Sequence, residues 1–447
     1  MRIAEDAGGG AAGRNFPLLF DPAVGILGSV AEIAAGPGAP DFIHAEARTC
    51  NVGALGGATG RFAAGAAATD RSTAIASAVQ RTVARYCAAL YERDGLPLAS
   101  TADAGFRCVP PGDFALFSEA QLGRAGFPFV AFDPDTPVRW TGAVDLASGE
   151  NVHVPAAFVW FPYFWLRTGG DLPIVEPSAT GLACAEGVAS ATLAGLYDVV
   201  ARDAAALFWQ TATPPPQIRA EALPEAARGL IARFTVAGAR ATILDVTTNN
   251  RIPSFVAVAT SEEPDRPAYA FAMAADLDPE AAIELALLRL ADTRRLAAAA
   301  MRSRPPPSPA YDWEDVTEWA DHLTFAAAHA NRRACDFALS SEDRRDIADF
   351  DRHPFADADA ELEAALSAVL ATGCRAYAAN LTSEDVGALG LSVVRVIVPG
   401  YQPLVAGHRA RALGGSRLYD VPQKLGFRGI FRGSSGNSAP HPFNGEP

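Results

Sequence analysis

The chain has 447 residues, of which 49% are hydrophobic, so its length allows one large domain or two to three smaller ones. Its formal net charge of −14 at pH 7 argues against a general nucleic-acid binder, because such proteins usually carry a basic surface. The six cysteines are scattered without a CxxC pair, which predicts reduced thiols and no structural zinc site.

The first residues, MRIAEDAGGGAAGRN, contain no apolar segment, so no signal peptide is predicted and residues 1–20 are expected to be flexible. The longest apolar run, residues 155–166, is too short to cross a bilayer. Together these features predict a soluble cytoplasmic protein with no membrane partner.

From residue 53 onwards, predicted helices and strands alternate. A Gly-rich run precedes a helix over about 70–92, and a Gly-containing turn at 178–187 leads into a helix over 189–209. A third helix is predicted over 279–301, with further helical segments over roughly 314–371. Strands are predicted over 129–133, 138–146, 151–161, 241–248, 254–260 and 391–399. This order predicts an α/β chain with a mixed sheet that includes antiparallel elements, as in α+β folds.

The helix predicted over about 70–92 has an unusual polar face. At helical spacing Ser77, Arg81, Ala84 and Arg85 lie on the same side of the helix. The face therefore combines one hydroxyl, two guanidinium groups and a methyl group. Because Mg²⁺ requires oxygen ligands, usually carboxylates together with phosphates, we predict that this face binds no metal ion.

Five stretches, in order along the chain, resemble the motifs of the YcaO family. RSTAIASAVQRTVARYCA looks like the first motif, S-x-x-x-E-x-x-E-R-Y, and PSATGLACAEGVASATLAGLYDVVARDA resembles the family's Gly turn and its helix, E-x-x-E-R-D. LDPEAAIELALLRLADTRR looks like the third motif, A-L-T-E-x-x-Q-x-R, and LSVVRVIVPGYQPL with GGSRLYDVPQKLG is similar to the family's late strand. The ending NSAPHPF resembles the proline-rich C-terminus of the subfamily that forms thiazolines and oxazolines in ribosomal peptides.

The resemblance implies a single large YcaO-type domain over 21–430, followed by a proline-containing tail over 431–447. Active family members bind ATP and magnesium between these helices and phosphorylate a backbone amide oxygen of a peptide. In cyclodehydratases a Cys, Ser or Thr side chain first attacks the amide carbonyl, and departure of the phosphate then gives an azoline ring. By the same resemblance the tail residues Pro440, His441 and Pro442 are candidate catalytic residues. We expect them to pack into the protein with Phe443.

Aligning the motifs residue by residue shows what this chain has lost. Arg81 and Ala84 stand where the first motif has two glutamates, and Asp198 and Ala201 stand where the second has two more. Of the four positions at which the family has Mg²⁺-binding glutamates, only position 198 is still acidic, and Asp198 has a shorter side chain than glutamate. Thr180, Arg289 and Asp292 stand where the motifs have Asn, Glu and Gln, respectively. The motif residues that this chain retains are Ser77, Arg85, Ser178, Arg202, Asp203 and Arg294. The predicted ATP-site equivalents are Ser77, Arg81, Arg85, Ser178, Thr180, Asp198, Arg202, Asp203, Arg289, Asp292 and Arg294.

Two interpretations of these substitutions stay open. In the first, the ATP site is inactive, and Arg81 and Arg289 fill the former metal volume and pair with Asp198 or Asp292. The protein would then be a non-catalytic subunit that binds or positions a partner, with no cofactor and no metal. In the second, the arginines replace the metal as phosphate clamps in an ATP-dependent, azoline-forming cyclodehydratase, and ATP and magnesium would be its cofactors.

The resemblance also implies partners. The expected partners are a precursor peptide and a separate leader-binding subunit. A flavin dehydrogenase or an active YcaO paralogue is a further candidate partner. The chain begins at the YcaO domain, so we expect no fused leader-binding module. The resemblance also implies that the chain forms a homodimer or a heterodimer. No nucleic-acid partner is expected.

Overall fold

The computed structural model of the protein describes residues 18–165, 169–308, 313–432, 434 and 436–445. Most of the predicted flexible N-terminus, residues 1–17, lies outside the described residues, as do the last two residues, 446–447. The described part of the chain combines three sheets with packed helices, so the predicted mixed α/β fold class is confirmed.

In chain order the strands are β1 (Leu27–Ile33), β2 (Ile43–Thr49), β3 (Ala63–Ala68), β4 (Leu98–Ala99), β5 (Val138–Asp145), β6 (Asn151–Pro155), β7 (Leu182–Glu186), β8 (Gln217–Ile218), β9 (Arg240–Asp245), β10 (Ser254–Thr260), β11 (Tyr269–Ala275), β12 (Arg344–Arg345), β13 (Tyr377–Asn380) and β14 (Leu391–Ile397). The α-helices are α1 (Arg71–Ala89), α2 (Glu119–Leu122), α3 (Val188–Thr211), α4 (Glu225–Val236), α5 (Pro279–Ser303), α6 (Trp319–Ala327), α7 (Arg332–Cys335), α8 (Ala358–Leu370), α9 (Glu384–Gly387) and α10 (Arg417–Lys424).

The strands form three separate sheets. The first has the order β1-β2-β3, the second β11-β10-β9-β8-β12, and the third β4-β5-β13-β14-β7 with β6 paired to β5. Neighbouring strands are antiparallel, except that β8 and β12 run parallel. The predicted antiparallel elements are therefore confirmed.

Three long helices join these sheets. Helix α1 packs against β2 and β3, α3 lies against β7, β14 and β11, and α5 covers β10 and β11 and reaches β3. Local signals explain where two of them begin. Asp70 accepts a hydrogen bond from the Thr73 backbone N–H at 2.9 Å as the N-cap of α1, and Asp278 followed by Pro279 begins α5. The three helices carry the first three of the stretches that resemble family motifs, so the fold brings these stretches towards each other.

Several predicted elements are wrong. Residues 129–133 form no strand, and the strand predicted over 151–161 ends at Pro155. The region 314–371 contains α6, α7 and α8 but also long irregular stretches and β12. In 129–133 the aromatic side chains join a cluster with Trp140 and Trp165, and packing in that cluster replaces ladder hydrogen bonds.

Candidate functional site

A small cavity lies where α1, α3 and α5 meet β11 and the C-terminal segment. Its volume is about 40 Å³, which gives room for about three water molecules. Most of its polar lining is charged, and three of the five charged side chains are arginines. The lining residues are Arg81, Asp198, Arg202, Phe271, Ala272, Met273, Arg289, Asp292, Thr293, Phe443 and Asn444.

Five of the predicted ATP-site equivalents line this cavity. Arg81 comes from α1, Asp198 and Arg202 from α3, and Arg289 and Asp292 from α5. Residues three or four positions apart lie on the same side of a helix, so each pair points the same way. The structure therefore brings the three motifs to one site, whereas the assignment of these residues to an ATP site stays a prediction.

Asp198 is the acidic centre of the cavity. Its Oδ2 atom accepts hydrogen bonds from Arg202 Nε at 2.7 Å and from the Gly181 backbone N–H at 2.9 Å. Burial by itself raises the pKa of Asp198. The charges of Arg202 and Arg289, together with the Gly181 N–H, outweigh burial and hold this pKa below its usual value of 3.8. Asp198 is therefore an ionised carboxylate that protein donors already bind.

Gly181 can bring its N–H to Asp198 only because it has no side chain. Its φ is +79°, a left-handed conformation that favours glycine. A Cβ atom at this position would lie 2.1 Å from the Val396 carbonyl oxygen of β14. The glycine of the second motif thus allows the turn to pass close to β14 and to orient a donor at the site.

Arg81 and Arg289 are each held by a backbone carbonyl. Arg81 Nη1 donates to the Gly65 oxygen and Arg289 Nη1 to the Met273 oxygen, both at 2.9 Å. Burial and the nearby charge of Arg81 lower the pKa of Arg289 to about 10, so both guanidinium groups are charged at neutral pH. Among the described residues, neither guanidinium lies within 4.0 Å of a carboxylate.

The predicted ion pairs of Arg81 or Arg289 with Asp198 or Asp292 are therefore wrong. Each aspartate has a closer arginine on its own helix. Asp198 pairs with Arg202 four residues later, and Asp292 pairs with Arg295 three residues later.

Asp292 has a second contact that the motifs do not predict. His44 Nδ1 of β2 lies 3.4 Å from Asp292 Oδ1, and Arg295 Nη2 lies 2.8 Å from the same oxygen. Burial tends to raise the pKa of Asp292, but the His44 contact and the Arg295 charge lower it below its usual value. Asp292 is thus bound on two sides by protein groups.

The other predicted ATP-site equivalents do not line the cavity. Arg85 is buried and donates to the Ala63 carbonyl, and Arg294 is buried with a long 3.5 Å contact to Pro267. Asp203 is fully buried and forms an ion pair with Arg417 of α10. These residues support the fold around the site. Those outside the lining are Ser77, Arg85, Ser178, Thr180, Asp203 and Arg294.

Arg395 is a residue near the site that motif alignment missed. It lies on β14, where its Nη2 donates to the Ser178 oxygen at 2.6 Å and its Nε to the Phe158 oxygen at 2.9 Å. Burial lowers its pKa to about 9, although the charge of Asp198 acts in the opposite direction. A single charged residue inside the apolar run LSVVRVIVP is the signal that would have found it.

Two alanines, Ala84 and Ala201, stand where the resemblance predicts glutamates. Ala84 and Ala201 are each 1% exposed and belong to hydrophobic clusters of the core. A methyl group packed in this way can neither bind nor orient a metal ion. Both positions now contribute to packing of α1 and α3 against the sheets.

The C-terminal segment closes one side of the cavity. Phe443 and Asn444 line it, and the Gly445 carbonyl accepts a hydrogen bond from Arg202 Nη1 at 2.8 Å. Pro440, His441, Pro442 and Phe443 are all buried, so the prediction that they pack into the protein is confirmed. His441 stacks on His322 of α6, with ring centroids 3.8 Å apart. A catalytic role for the tail stays a prediction.

The donor set does not fit the Mg²⁺–ATP pair that the motifs imply. Magnesium requires free oxygen ligands, but both carboxylates of the cavity are bound to arginines and two further guanidinium groups face them. The volume is also far below that of a nucleotide. Among the described residues, no group of three or more His, Cys, Asp or Glu side chains could hold a metal ion.

Comparison with known proteins identifies the fold. The family model described as YcaO cyclodehydratase, ATP- and Mg²⁺-binding, matches residues 64–402. A solved heterocyclase in complex with substrate and cofactor is similar at a TM-score of 0.79 and 20% identity, covering 98% of this chain and 58% of that chain. The YcaO protein of Methanopyrus kandleri, bound with AMPPCP and Mg²⁺, is similar at a TM-score of 0.58 and 20% identity, covering 84% of this chain and 86% of that chain.

Sequence relatives give a shorter match. An uncharacterized protein of Methanothermobacter thermautotrophicus is 29% identical over 164 residues. The match covers 36% of this chain and 42% of the relative, so this chain spans less than half of that protein. In the described part of the chain, no helix is both long and apolar enough to cross a membrane.

Proposed function

Since the chain belongs to the YcaO family, we propose that it is a component of a complex that matures a ribosomally made peptide. The complex acts on backbone amides of the precursor peptide. In it this protein binds or positions a partner and does not hydrolyse ATP itself. We place the complex in the cytoplasm.

One observation supports this proposal: arginine and alanine side chains stand where the family motifs have carboxylates that bind magnesium. At four positions where the family motifs have metal-binding or nearby acids, the chain has Arg81, Ala84, Ala201 and Arg289. The two alanines are core residues and the two arginines are cations that repel a divalent metal. Loss of several ligands together removes the electrostatic stabilisation that phosphoryl transfer to an amide oxygen needs.

The partners follow from the same family membership. We propose a precursor peptide and a separate leader-binding subunit, with a flavin dehydrogenase or an active YcaO paralogue as the subunit that supplies further chemistry. Association as a homodimer or heterodimer is part of the proposal. A solved heterocyclase of similar fold is in complex with substrate and cofactor, which supports a substrate-facing role for the fold.

A second candidate function is an active, ATP-dependent azoline-forming cyclodehydratase. Arg81 and Arg289 favour it, because both are charged, both face one cavity, and both donate hydrogen bonds to backbone carbonyls. Guanidinium groups match phosphate oxygens in geometry and charge, so the pair could clamp a phosphoryl group without a metal ion.

Ring formation in cells separates the two functions. The test uses a strain that expresses this chain together with the proteins encoded beside it. Deleting the gene for this chain should stop modification of the precursor peptide. Arg81→Ala and Arg289→Ala should leave modification unchanged, because under the first function neither side chain touches a reacting group. Mass spectrometry of the precursor peptide measures the result, since each azoline ring removes one water. If either variant stops ring formation at an unchanged protein level, the second function is correct.

A further inference from the structure

The cavity between α1, α3 and α5 keeps more positive than negative charge. Each of its two aspartates is already neutralised by an arginine of its own helix. Arg81 and Arg289 remain, and among the described residues no carboxylate lies within 4.0 Å of either guanidinium. Arg395, which donates to backbone carbonyls and whose charge acts on Asp198, adds a further cation beside the cavity. The metal-binding acids of the family have thus been replaced by unpaired positive charge.

The two arginines that line the cavity still have hydrogen-bond donors to offer. A guanidinium group carries five N–H donors. Arg81 uses Nη1 to donate to the Gly65 oxygen, and Arg289 uses Nη1 to donate to the Met273 oxygen. In the described part of the chain, neither arginine has a side-chain nitrogen that is both sealed from solvent and without a partner. The donors that find no protein acceptor therefore reach accessible space, where both side chains line the cavity.

The surroundings make this arrangement of charges unfavourable without a ligand. Burial, followed by the charge of Arg81, lowers the pKa of Arg289 to about 10, so the two groups repel each other while both stay charged at neutral pH. Phe271 and Phe443 form apolar walls of the cavity, and both are 0% exposed. Charges interact more strongly beside such walls than in water. An anion between the two arginines replaces their repulsion by two attractions.

The size of the cavity selects the class of anion. Its volume of about 40 Å³ gives room for about three water molecules, which fill about 90 Å³ in the liquid. This space suits a tetrahedral oxyanion such as phosphate, but it is far too small for a nucleotide. A tetrahedral oxyanion presents several pairs of oxygens, so guanidinium groups from two different helices can each bind it in a bidentate manner. A halide ion offers no such pair.

We propose that this cavity binds a free tetrahedral oxyanion, inorganic phosphate or sulfate, between Arg81 and Arg289, without a metal ion and without a nucleotide. The anion links α1 to α5 through the two guanidinium groups, at the site where the motifs imply magnesium. This binding mode rests on the proposed loss of the magnesium site, because a divalent cation there would repel both arginines. It differs from the second candidate function, in which the same arginines act on ATP.

Calorimetric titration of the full-length protein with inorganic phosphate tests the proposal, once with EDTA and once with Mg²⁺, at constant ionic strength. Sulfate is the second probe, and chloride is the negative probe. We expect saturable binding of phosphate or sulfate that EDTA does not change, and no binding of chloride. At about 100 times its dissociation constant, the bound anion should raise the Tm by about 3 °C, because it binds the folded chain and not the unfolded one.

Two variants of the cavity and one surface control locate the binding. Arg81→Gln and Arg289→Gln should each weaken phosphate binding by about tenfold or more, because each removes a charge-assisted donor, and each should lose the rise in Tm. Arg432→Gln is the matched control and should bind phosphate as the wild type does. Arg432 is 68% exposed, pairs with Asp420 and does not line the cavity.

The outcomes separate this proposal from the proposed function. Phosphate binding that requires Mg²⁺ overturns both, because it shows a working metal site. The oxyanion site alone is overturned if neither phosphate nor sulfate binds, if chloride binds as tightly as they do, or if both cavity variants bind as the wild type does. In those cases the loss of the magnesium site still stands, since titration with ATP and Mg²⁺ tests it independently.

Discussion

Replacing Asp198 by alanine is expected to destabilise the protein by about 3–5 kcal/mol, because it removes one partner of a buried ion pair. The Asp198 side chain is 12% exposed and Arg202 is 2% exposed. Without the carboxylate, Arg202 and the nearby Arg289 lose their counter-charge, and the Gly181 N–H loses its acceptor. Denaturant unfolding of the variant and the wild type measures the difference.

Asp420→Ala is the control for this measurement. Asp420 pairs with Arg432 on the surface, with side-chain exposures of 44% and 68%, so its loss should cost at most about 1 kcal/mol. An Asp198→Ala variant as stable as Asp420→Ala would show that the cluster of charges around the cavity does not hold the three helices together.

The contribution of Asp198 also depends on pH. In the unfolded chain its carboxyl titrates near 3.8, and in the folded chain its pKa lies lower. The folded state therefore binds fewer protons between these two values, so the stabilisation is fully present above about pH 4 and disappears as the pH falls through the folded pKa. The difference in stability between wild type and Asp198→Ala should accordingly shrink in acid.

Phe443→Ala should destabilise the protein by about 3–5 kcal/mol, the usual cost of truncating a fully buried aromatic side chain. Phe443 is 0% exposed and contacts the rings of Phe208 and Phe271, with centroids 6.4 and 6.0 Å apart. The neighbouring tail residue Ala439 accepts a hydrogen bond from Trp209 Nε1 at 3.1 Å. The tail is thus part of the core that α3 and β11 form, and thermal or denaturant unfolding will report its loss.

Phe431→Ala provides a control from the same segment. Phe431 is 79% exposed, so its truncation should change stability by no more than about 0.5 kcal/mol. Equal stabilities of Phe443→Ala and Phe431→Ala would contradict the packing of the tail. Because the tail is buried, removing residues 438–447 as a whole is expected to affect folding as well as any modifying activity.

The parts of the fold that sequence could predict are those with strong local signals. Helix α1 begins at the N-cap Asp70, and β10 is a run of buried apolar residues, so both were found near their observed bounds. By contrast β3 reads AAGAAA, without the β-branched or aromatic residues that are typical of strands, and α1 and β2 hold it in the sheet. No local pattern indicates such a strand, because tertiary packing determines it.

The same contrast applies to the candidate site. The family resemblance predicted that residues of α1, α3 and α5 converge, and Arg81, Asp198, Arg202 and Asp292 do so, whereas Ser77 and Arg294 do not line the cavity. Helical periodicity fixes only which side chains of one helix point the same way. Ion-pair partners were not predictable, since the choice between Asp292 with Arg81 and Asp292 with Arg295 depends on distances of a few ångströms. His44 and Arg395 were missed because they come from strands outside the three motifs.

Titration of the full-length protein with ATP, once with Mg²⁺ and once with EDTA, tests most directly whether the magnesium site has been lost. The account predicts no magnesium-dependent ATP binding, because both carboxylates of the cavity are bound to arginines and Arg81 and Arg289 repel a cation. Arg81→Glu combined with Ala84→Glu is a useful comparison, since it restores the acids of the first motif. Micromolar ATP binding by the wild type that EDTA abolishes would contradict the account.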